Sequence, residues 1–262
     1  MNVQYITKHL KNNAKIIAYD TVSSTNTVAK ELAESGAREF TVVTAKSQTN
    51  GKGRLGRSFI SNSENGLYMS VILKPDIPAE KCVDITVLSA VAVLEAIEET
   101  SNIKSTIKWI NDIYINEKKV CGILAESSFD NSKLSYVIVG IGVNILPPEN
   151  GFDETIKDIA TSIYEDNAPQ NCKELLCAKI IDKLIFYYQN MESKSYMKVY
   201  KEKSNILGKS VDVYRGNEII KGTAIDINEN AELIVKTENG DICVFNSGEA
   251  RVRKTGVTLN EK

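Results

Sequence analysis

From Ser204 the chain changes texture. VDVYRG, EIIKGTAIDI, ELIVKT and DICVFNS are four short β-type runs separated by Gly-Asn, Glu-Asn and Asn-Gly turns. Runs this short bury a face only by pairing with one another, so residues 204–262 predict a small all-β domain. Upstream the pattern is interspersed rather than segregated. Strand-like runs at 14–19, 40–45, 67–73, 105–110, 120–127 and 134–145 are mixed with helix-like runs at 25–35, 81–99, 153–165 and 171–203. The last helix places Leu176, Ile180, Leu184 and Tyr188 at i, i+4 spacing. The mixture predicts an α/β (α+β) domain over residues 1–203.

With 262 residues, 42% of them hydrophobic, the chain can bury a core without disulfide or metal staples. Its net charge of −2 argues against an electrostatic nucleic-acid binder, so any basic feature must be local. The cysteines, Cys82, Cys121, Cys172, Cys177 and Cys243, show no CxxC spacing, and the only histidine, His9, is far from them in sequence. A reducing cytoplasm fits that usage better than a disulfide framework or a zinc site. A single histidine also disfavours Ser-His or Cys-His nucleophilic catalysis and leaves any chemistry to Lys, Arg and carboxylates. MNVQYITKHLKNNAK lacks the apolar run of a signal peptide. VDITVLSAVAVLEAI contains Asp84 and Glu95 and is shorter than the ~20 residues of a membrane span, so it predicts a buried core helix.

Four stretches stand out against this background. KSQTNGKGRLGR, residues 46–57, has four cations, no anion and three glycines. Glycine lets backbone amides approach a ligand, and Lys and Arg bring charge, so the loop reads as an anion cradle or as a flexible solvated loop. KWINDIYINEKKVCGILAES, 108–127, runs from a strand end through Asn111 and Asp112 to Lys119 and Gly122 on a strand that pairs back beside them. That is either a plain hairpin or a place where a ligand meets the backbone at Gly122. VGIGVN, 139–144, alternates Gly140 and Gly142, as in a crowded sheet or a pocket wall. SSTN, 23–26, is an ordinary helix cap or part of a site.

The order and spacing of these stretches resemble the biotin–protein ligase family: STN, Q-x-x-G-[KR]-G-R-x-G-R, KW-x-ND, K-x-x-GIL-x-E and G-x-G-x-N. The resemblance runs nearly the whole chain, to SGEARVR at 247–253, and is to the form without an N-terminal DNA-binding winged helix. Where the family often has KWPND, Ile110 replaces the proline and removes no chemical group.

The resemblance implies a mixed-sheet catalytic domain of the biotin/lipoate ligase type and a small C-terminal SH3-like β-barrel. It implies activation of biotin by ATP to biotinyl-5'-AMP and transfer to a lysine of a biotin carboxyl carrier protein or carboxylase domain. Magnesium is the implied metal and the cytoplasm the implied compartment. DNA and membrane are not implied partners, and a homodimer is left open. Residue by residue, Ser24, Thr25, Asn26, Gln48, Lys52, Gly53, Arg54, Lys119 and Gly122 match biotin-contacting positions. Lys52, Arg54, Arg57, Lys108, Asn111, Asn144 and Arg253 match positions near ATP, with Glu249 beside the last. Arg54, Lys119 and Asp112 match catalytic positions, and Asp112 and Asn144 the surroundings of the metal.

Three rivals remain at this level. A lipoate–protein ligase or related acyltransferase would share the α/β domain, although GKGRLGR and the KWIND–KxxG pairing favour biotin. A biotin-responsive transcriptional regulator is disfavoured by the acidic balance and by the lack of a helix-turn-helix before Ala14. A noncatalytic biotin- or nucleotide-binding module is the third.

Overall fold

The structure, a computed structural model, describes residues 1–131, 133–246 and 251–254, the last stretch in backbone and in the side chain of Val252. Its larger part is a seven-stranded mixed sheet in the order β1-β2-β3-β7-β6-β5-β4. The strands are β1 Lys15–Val22, β2 Thr41–Gln48, β3 Gly66–Leu73, β4 Thr106–Lys108, β5 Asp112–Ile115, β6 Lys118–Asp130 and β7 Lys133–Asn144. β1 and β2 run parallel across helix α2, Thr25–Glu34, and the other neighbours are antiparallel.

Strand periodicity divides the sheet's two faces. On β3 and β7, Met69, Val71, Leu73, Val139, Ile141 and Val143 join the main core with helices α3, Cys82–Ser101, and α4, Cys172–Gln189. The run predicted as a buried helix is α3, where twelve consecutive or near-consecutive side chains from Asp84 to Ile97 are buried. On the opposite face Ile72, Tyr136, Ile138 and Val43 pack under α2 through Ala29 and Ala33. This second core is small. It covers only part of its face, and beyond it the same parity of positions brings up Ser70, Gly140, Gly142 and Gly122.

Two expectations need correction, and one helix has no counterpart among them. Residues 153–165 form turns rather than a helix: a first turn closes on Asp153, and the segment then runs beside β6 and β7. Lys119 N donates to the Ile159 carbonyl, Thr161 N to that of Lys119 and Ile163 N to that of Asn144. Tertiary partners outcompete local helix bonds here. The helix expected over 171–203 breaks between Gln189 and Ser195, where Lys194 has φ 49°, and resumes as α5, Ser195–Glu202. A short helix α1, Val3–His9, precedes β1 and went unpredicted. Asp182 of α4 accepts the backbone N–H groups of Lys11 and Asn12 just after it.

The C-terminal strands β8 Ser210–Arg215, β9 Glu218–Ile227, β10 Leu233–Thr237, β11 Ile242–Phe245 and β12 Arg251–Lys254 form a five-stranded sheet in the order β11-β10-β9-β8-β12. All its pairings are antiparallel. Val211, Val213, Ala224, Ile227, Leu233, Val235 and Phe245 are fully buried or nearly so. This sheet meets the larger one through Trp109, whose Nε1–H donates to the Ala231 carbonyl at 2.9 Å. Lys201 to Asp226, 3.0 Å, and Lys194 to the Glu229 carbonyl add polar links. Among the described residues no helix is long and apolar enough to cross a membrane.

Candidate active site

The uncovered part of the second face forms a pocket whose floor is built from glycine. A Cβ on Gly140 would lie 2.1 Å from Asn26 Oδ1, and one on Gly142 would lie 2.6 Å from the Phe59 ring. On Gly122 it would come within 3.2 Å of Lys119 Nζ. The missing side chains therefore make room for three specific neighbours. At Gly122, which lines the cavity, a Cβ would meet the ends of the Lys119 and Phe59 side chains.

The start of α2 supplies one wall. Ser24 occupies the N-cap without a side-chain cap bond, so simple capping does not account for SSTN. Thr25 and Asn26 are turned inward and buried. Gln48, at the end of β2, accepts the Thr25 backbone N–H at 2.8 Å and donates through Nε2 to Ser61 Oγ at 3.0 Å. Asn26 Nδ2 donates to the Glu126 carboxylate at 2.6 Å, and Asn26 Oδ1 accepts from Ser70 at the same distance. Thr25, Asn26, Gln48 and Ser70 each have a side-chain partner in this buried wall, as low-dielectric surroundings require.

The basic stretch crosses above as a hairpin. Gly53 N donates to the Arg57 carbonyl, Phe59 N to that of Gly51, and Gln48 N to that of Ser61. Lys46 belongs to β2 rather than to the loop and pairs with Asp20 at 2.7 Å. Arg54 reaches across the pocket and donates to Asn111 Oδ1 at 3.0 Å, while Asn111 Nδ2 donates to the Ile123 carbonyl at 2.7 Å. Lys119 Nζ lies 2.8 Å from Asp112 Oδ1 at the pocket rim. Three cations (Lys52, Arg54 and Lys119) therefore line a cavity with a nearby carboxylate, and the balance suits an anion.

Neighbouring neutral groups stay neutral. Burial pushes the Tyr200 phenol well above its usual range, although Arg54 acts against the shift, and the Tyr200 hydroxyl donates to the Ile110 carbonyl. Burial likewise raises Tyr114 and the Cys121 thiol, so Cys121, on the core face beside Gly122, is no nucleophile.

Of the residues singled out by sequence, Ser24, Thr25, Asn26, Gln48, Lys52, Gly53, Arg54, Asn111, Lys119 and Gly122 line this one cavity. Asp112 joins it through Lys119. Lys108 stands over the Tyr114 ring, 5.5 Å from its centroid, and Asn144 donates to the Thr161 carbonyl at 2.9 Å. Arg57 is exposed on the hairpin. Arg253 lies on β12 opposite Asp212, with its side chain outside what the structure describes, and Glu249 lies outside the described residues. Sequence reasoning missed Phe59, Ser61 and Ser70 and gave Glu126 no role, although Glu126 sits inside the GIL-x-E motif.

Comparison with known proteins bears on this geometry. The Biotin/lipoate A/B protein ligase family profile matches residues 18–144, and the Biotin protein ligase C terminal domain profile matches 206–253. The Bifunctional ligase/repressor BirA of Bacillus spizizenii is 34% identical over 233 residues, covering 86% of this chain and 70% of that protein. The chain belongs to the biotin protein ligase family. Another member, the Biotin--[acetyl-CoA-carboxylase] ligase of Mycobacterium tuberculosis, is 25% identical over 86% of this chain and 84% of its own length. Among solved members, the biotin protein ligase from Aquifex aeolicus in complex with biotin and ATP superposes with a TM-score of 0.76 at 30% identity. That match covers 92% of this chain and 99% of the Aquifex chain. The chain spans 46% and 70% of the two Bacillus repressor-ligases. Membership accounts for both sheets and disfavours the lipoate ligase reading.

Proposed function

We propose that this chain joins biotin to ATP and passes the biotinyl group to a lysine of a biotin carboxyl carrier protein. The observation that carries the reading is Lys119, a cation at the rim of a neutral polar floor and under a second cationic element. A biotin carboxylate oxygen attacks the α-phosphorus, and the bond from that phosphorus to the bridging oxygen of pyrophosphate breaks. Two unit anions ~4 Å apart repel by about 4 kcal/mol at an effective dielectric of 20. Lys119, Arg54 and Lys52 offset that repulsion, as fixed charges that need no reorganisation in the transition state. The floor, with Thr25, Asn26 and Gln48, orients the neutral bicyclic head and so aims the carboxylate towards Lys119.

The mixed anhydride hydrolyses in water, so the hairpin 51–60 serves as its cover. In the second step an acceptor ε-amine attacks the anhydride carbonyl, the carbonyl–oxygen bond breaks and AMP departs. In this reading Asp112, the carboxylate beside Lys119, takes the proton that the amine loses. Magnesium would supply charge neutralisation of the phosphates. Asp112, beside Lys119 at the pocket rim, would be the single carboxylate that holds a magnesium bound chiefly through the phosphates. Asn144 spends its Nδ2 on Thr161 and keeps Oδ1 for that neighbourhood.

Residues 1–203 are the catalytic unit in this reading, and 204–262 contribute to ATP through Arg253. The name of the Mycobacterium relative supports a carboxylase carrier as acceptor. A second copy could pair along β1, an edge of the larger sheet. Incubation with biotin, MgATP and a carrier domain should add the mass of one biotinyl group to the carrier. No mass gain with biotin, or an equally rapid gain of one lipoyl group from lipoate, would sink the reading.

A further inference from the structure

Behind Asn26 a single carboxylate sets the direction of a hydrogen-bond chain. Glu126, on β6, is exposed and accepts from Asn26 Nδ2 at 2.6 Å. An ionised carboxylate only accepts, so the amide must turn its NH2 towards Glu126 and its carbonyl oxygen towards Ser70. Ser70 Oγ lies 2.6 Å from that oxygen and 2.8 Å from Thr25 Oγ1. One hydroxyl carries one proton. It goes to Asn26 Oδ1, which can only accept, and the Thr25 proton turns to Ser70 at 2.8 Å in preference to Gln48 Oε1 at 3.2 Å. Gln48 Oε1, 3.2 Å from Thr25 Oγ1, remains satisfied by the Thr25 backbone N–H at 2.8 Å. Thr25 Oγ1 therefore faces the pocket with lone pairs rather than a proton.

We infer that Glu126 is a positioning residue that fixes the donor and acceptor pattern of the pocket floor through Asn26, Ser70 and Thr25. With Gln at 126 the Asn26 amide can sit either way round. When its NH2 faces Ser70, the chain reverses: Ser70 donates to Thr25 and occupies one of its lone pairs, while the Thr25 proton turns to Gln48 Oε1 at 3.2 Å, so Thr25 offers a ligand less accepting capacity. Strand register favours such a relay. Ser70 pairs with Gly140 on one side, Leu124 pairs with it on the other, and Glu126 follows two positions along on the same face. Asn26 sits over Gly140, between Ser70 and Glu126. A ligand with ring N–H groups, as in a cyclic urea, suits an accepting Thr25. The inference rests on biotin being the ligand.

The test is calorimetric titration of biotin into the full chain and its Glu126→Gln, Ser70→Ala and double variants. Steady-state KM for ATP at saturating biotin is measured beside it. Glu126→Gln should weaken biotin about tenfold, the equivalent of ~1.4 kcal/mol, and leave the KM for ATP within about twofold. The decisive comparison is the double variant. With Ser70 removed the relay is cut, so adding Glu126→Gln should cost biotin nothing further. A merely structural role for Glu126 would raise the KM for ATP together with the biotin dissociation constant. Additive penalties, or a Glu126→Gln variant that binds biotin like wild type, overturn the inference alone. Wild-type protein that takes up no biotin overturns the functional reading and this inference with it.

Discussion

The floor and the cover of the same pocket solve opposite problems. Thr25, Asn26, Gln48 and Ser70 in the floor are each at most 7% exposed and are held by one another. The cover, residues 51–60, keeps Lys52, Arg57 and Ser58 exposed, with Leu55 58% exposed at its outer turn and Ile60 42% exposed at its base. A buried polar floor discriminates because a ligand that fails to match leaves groups unpaired at a cost of ~1–3 kcal/mol each. An exposed cationic cover cannot discriminate in that way, since water and salt weaken its contacts. It can hold a charged product and exclude water. Selectivity should therefore belong to the floor, and retention to the cover.

The comparison is tested most severely at its boundary. Lys119→Ala removes the rim cation that both halves share, together with the Asp112 ion pair. Loss of such a fixed charge costs ~2–4 kcal/mol of transition-state stabilisation, a fall of tens- to about a thousandfold in adenylation. Pyrophosphate release measures it, and a rate within threefold of wild type would mean that the charge lies elsewhere. Gly140→Ala should come next. Its Cβ would collide with Asn26 Oδ1 and, within 2.9 Å, with Nδ2, so the amide must leave its partners. Overpacking costs ~1–3 kcal/mol, and biotin affinity should drop about ten- to a hundredfold by calorimetry. Unchanged affinity would show that the floor is softer than its hydrogen bonds suggest.

The cover should answer differently. Arg54→Gly removes the bond to Asn111 and frees the hairpin's backbone, while the floor stays intact. Arg54 is only partly buried, so the loss is set at ~1 kcal/mol or somewhat more. Adenylate should then leave about five- to tenfold faster, with biotin affinity nearly unchanged, and released adenylate should label bystander lysines. An off-rate like wild type combined with weaker biotin would invert the assignment of roles.

Sequence made the cover easier to see than the floor, for a physical reason. Charge and glycine are visible residue by residue, so 46–57 stood out at once, although Lys46 turned out to serve β2. Ser70 and Glu126 are one polar residue each on long strands, and only the register of β3, β7 and β6 puts them on either side of Asn26. Phe59 was likewise invisible until Gly122 and Gly142 were known to be adjacent. The same logic covers the fold. α3 and the strands β3 and β7 were readable because long apolar runs have little choice, and the family pattern supplied the fold class. The turns at 153–165 follow from tertiary bonds to Lys119 and Asn144, which no local pattern encodes.

The smallest expected effect is at Leu55, where it separates intrinsic backbone preference from contacts. Leu55 has φ 56° and ψ 38°, the left-handed region, and its side chain is mostly in water. An L-residue there costs roughly 1–2 kcal/mol, which Leu55→Gly would remove. Glycine also enlarges the range open to the uncovered loop, which weakens the folded hairpin by roughly 0.5–1 kcal/mol. The two terms nearly cancel, so adenylate retention in Leu55→Gly should stay within about threefold of wild type. Proteolysis of the hairpin with and without biotin and ATP gives the second readout. If ligand contacts order the cover, wild type and variant should both be cut faster without ligand and become protected to a similar degree with it. A variant that is protected even without ligand, or one that retains adenylate more than tenfold longer, would show that strain at Leu55 holds the cover open. The cover would then be a spring set by its own backbone, and the division between a rigid floor and a ligand-ordered cover would have to be redrawn.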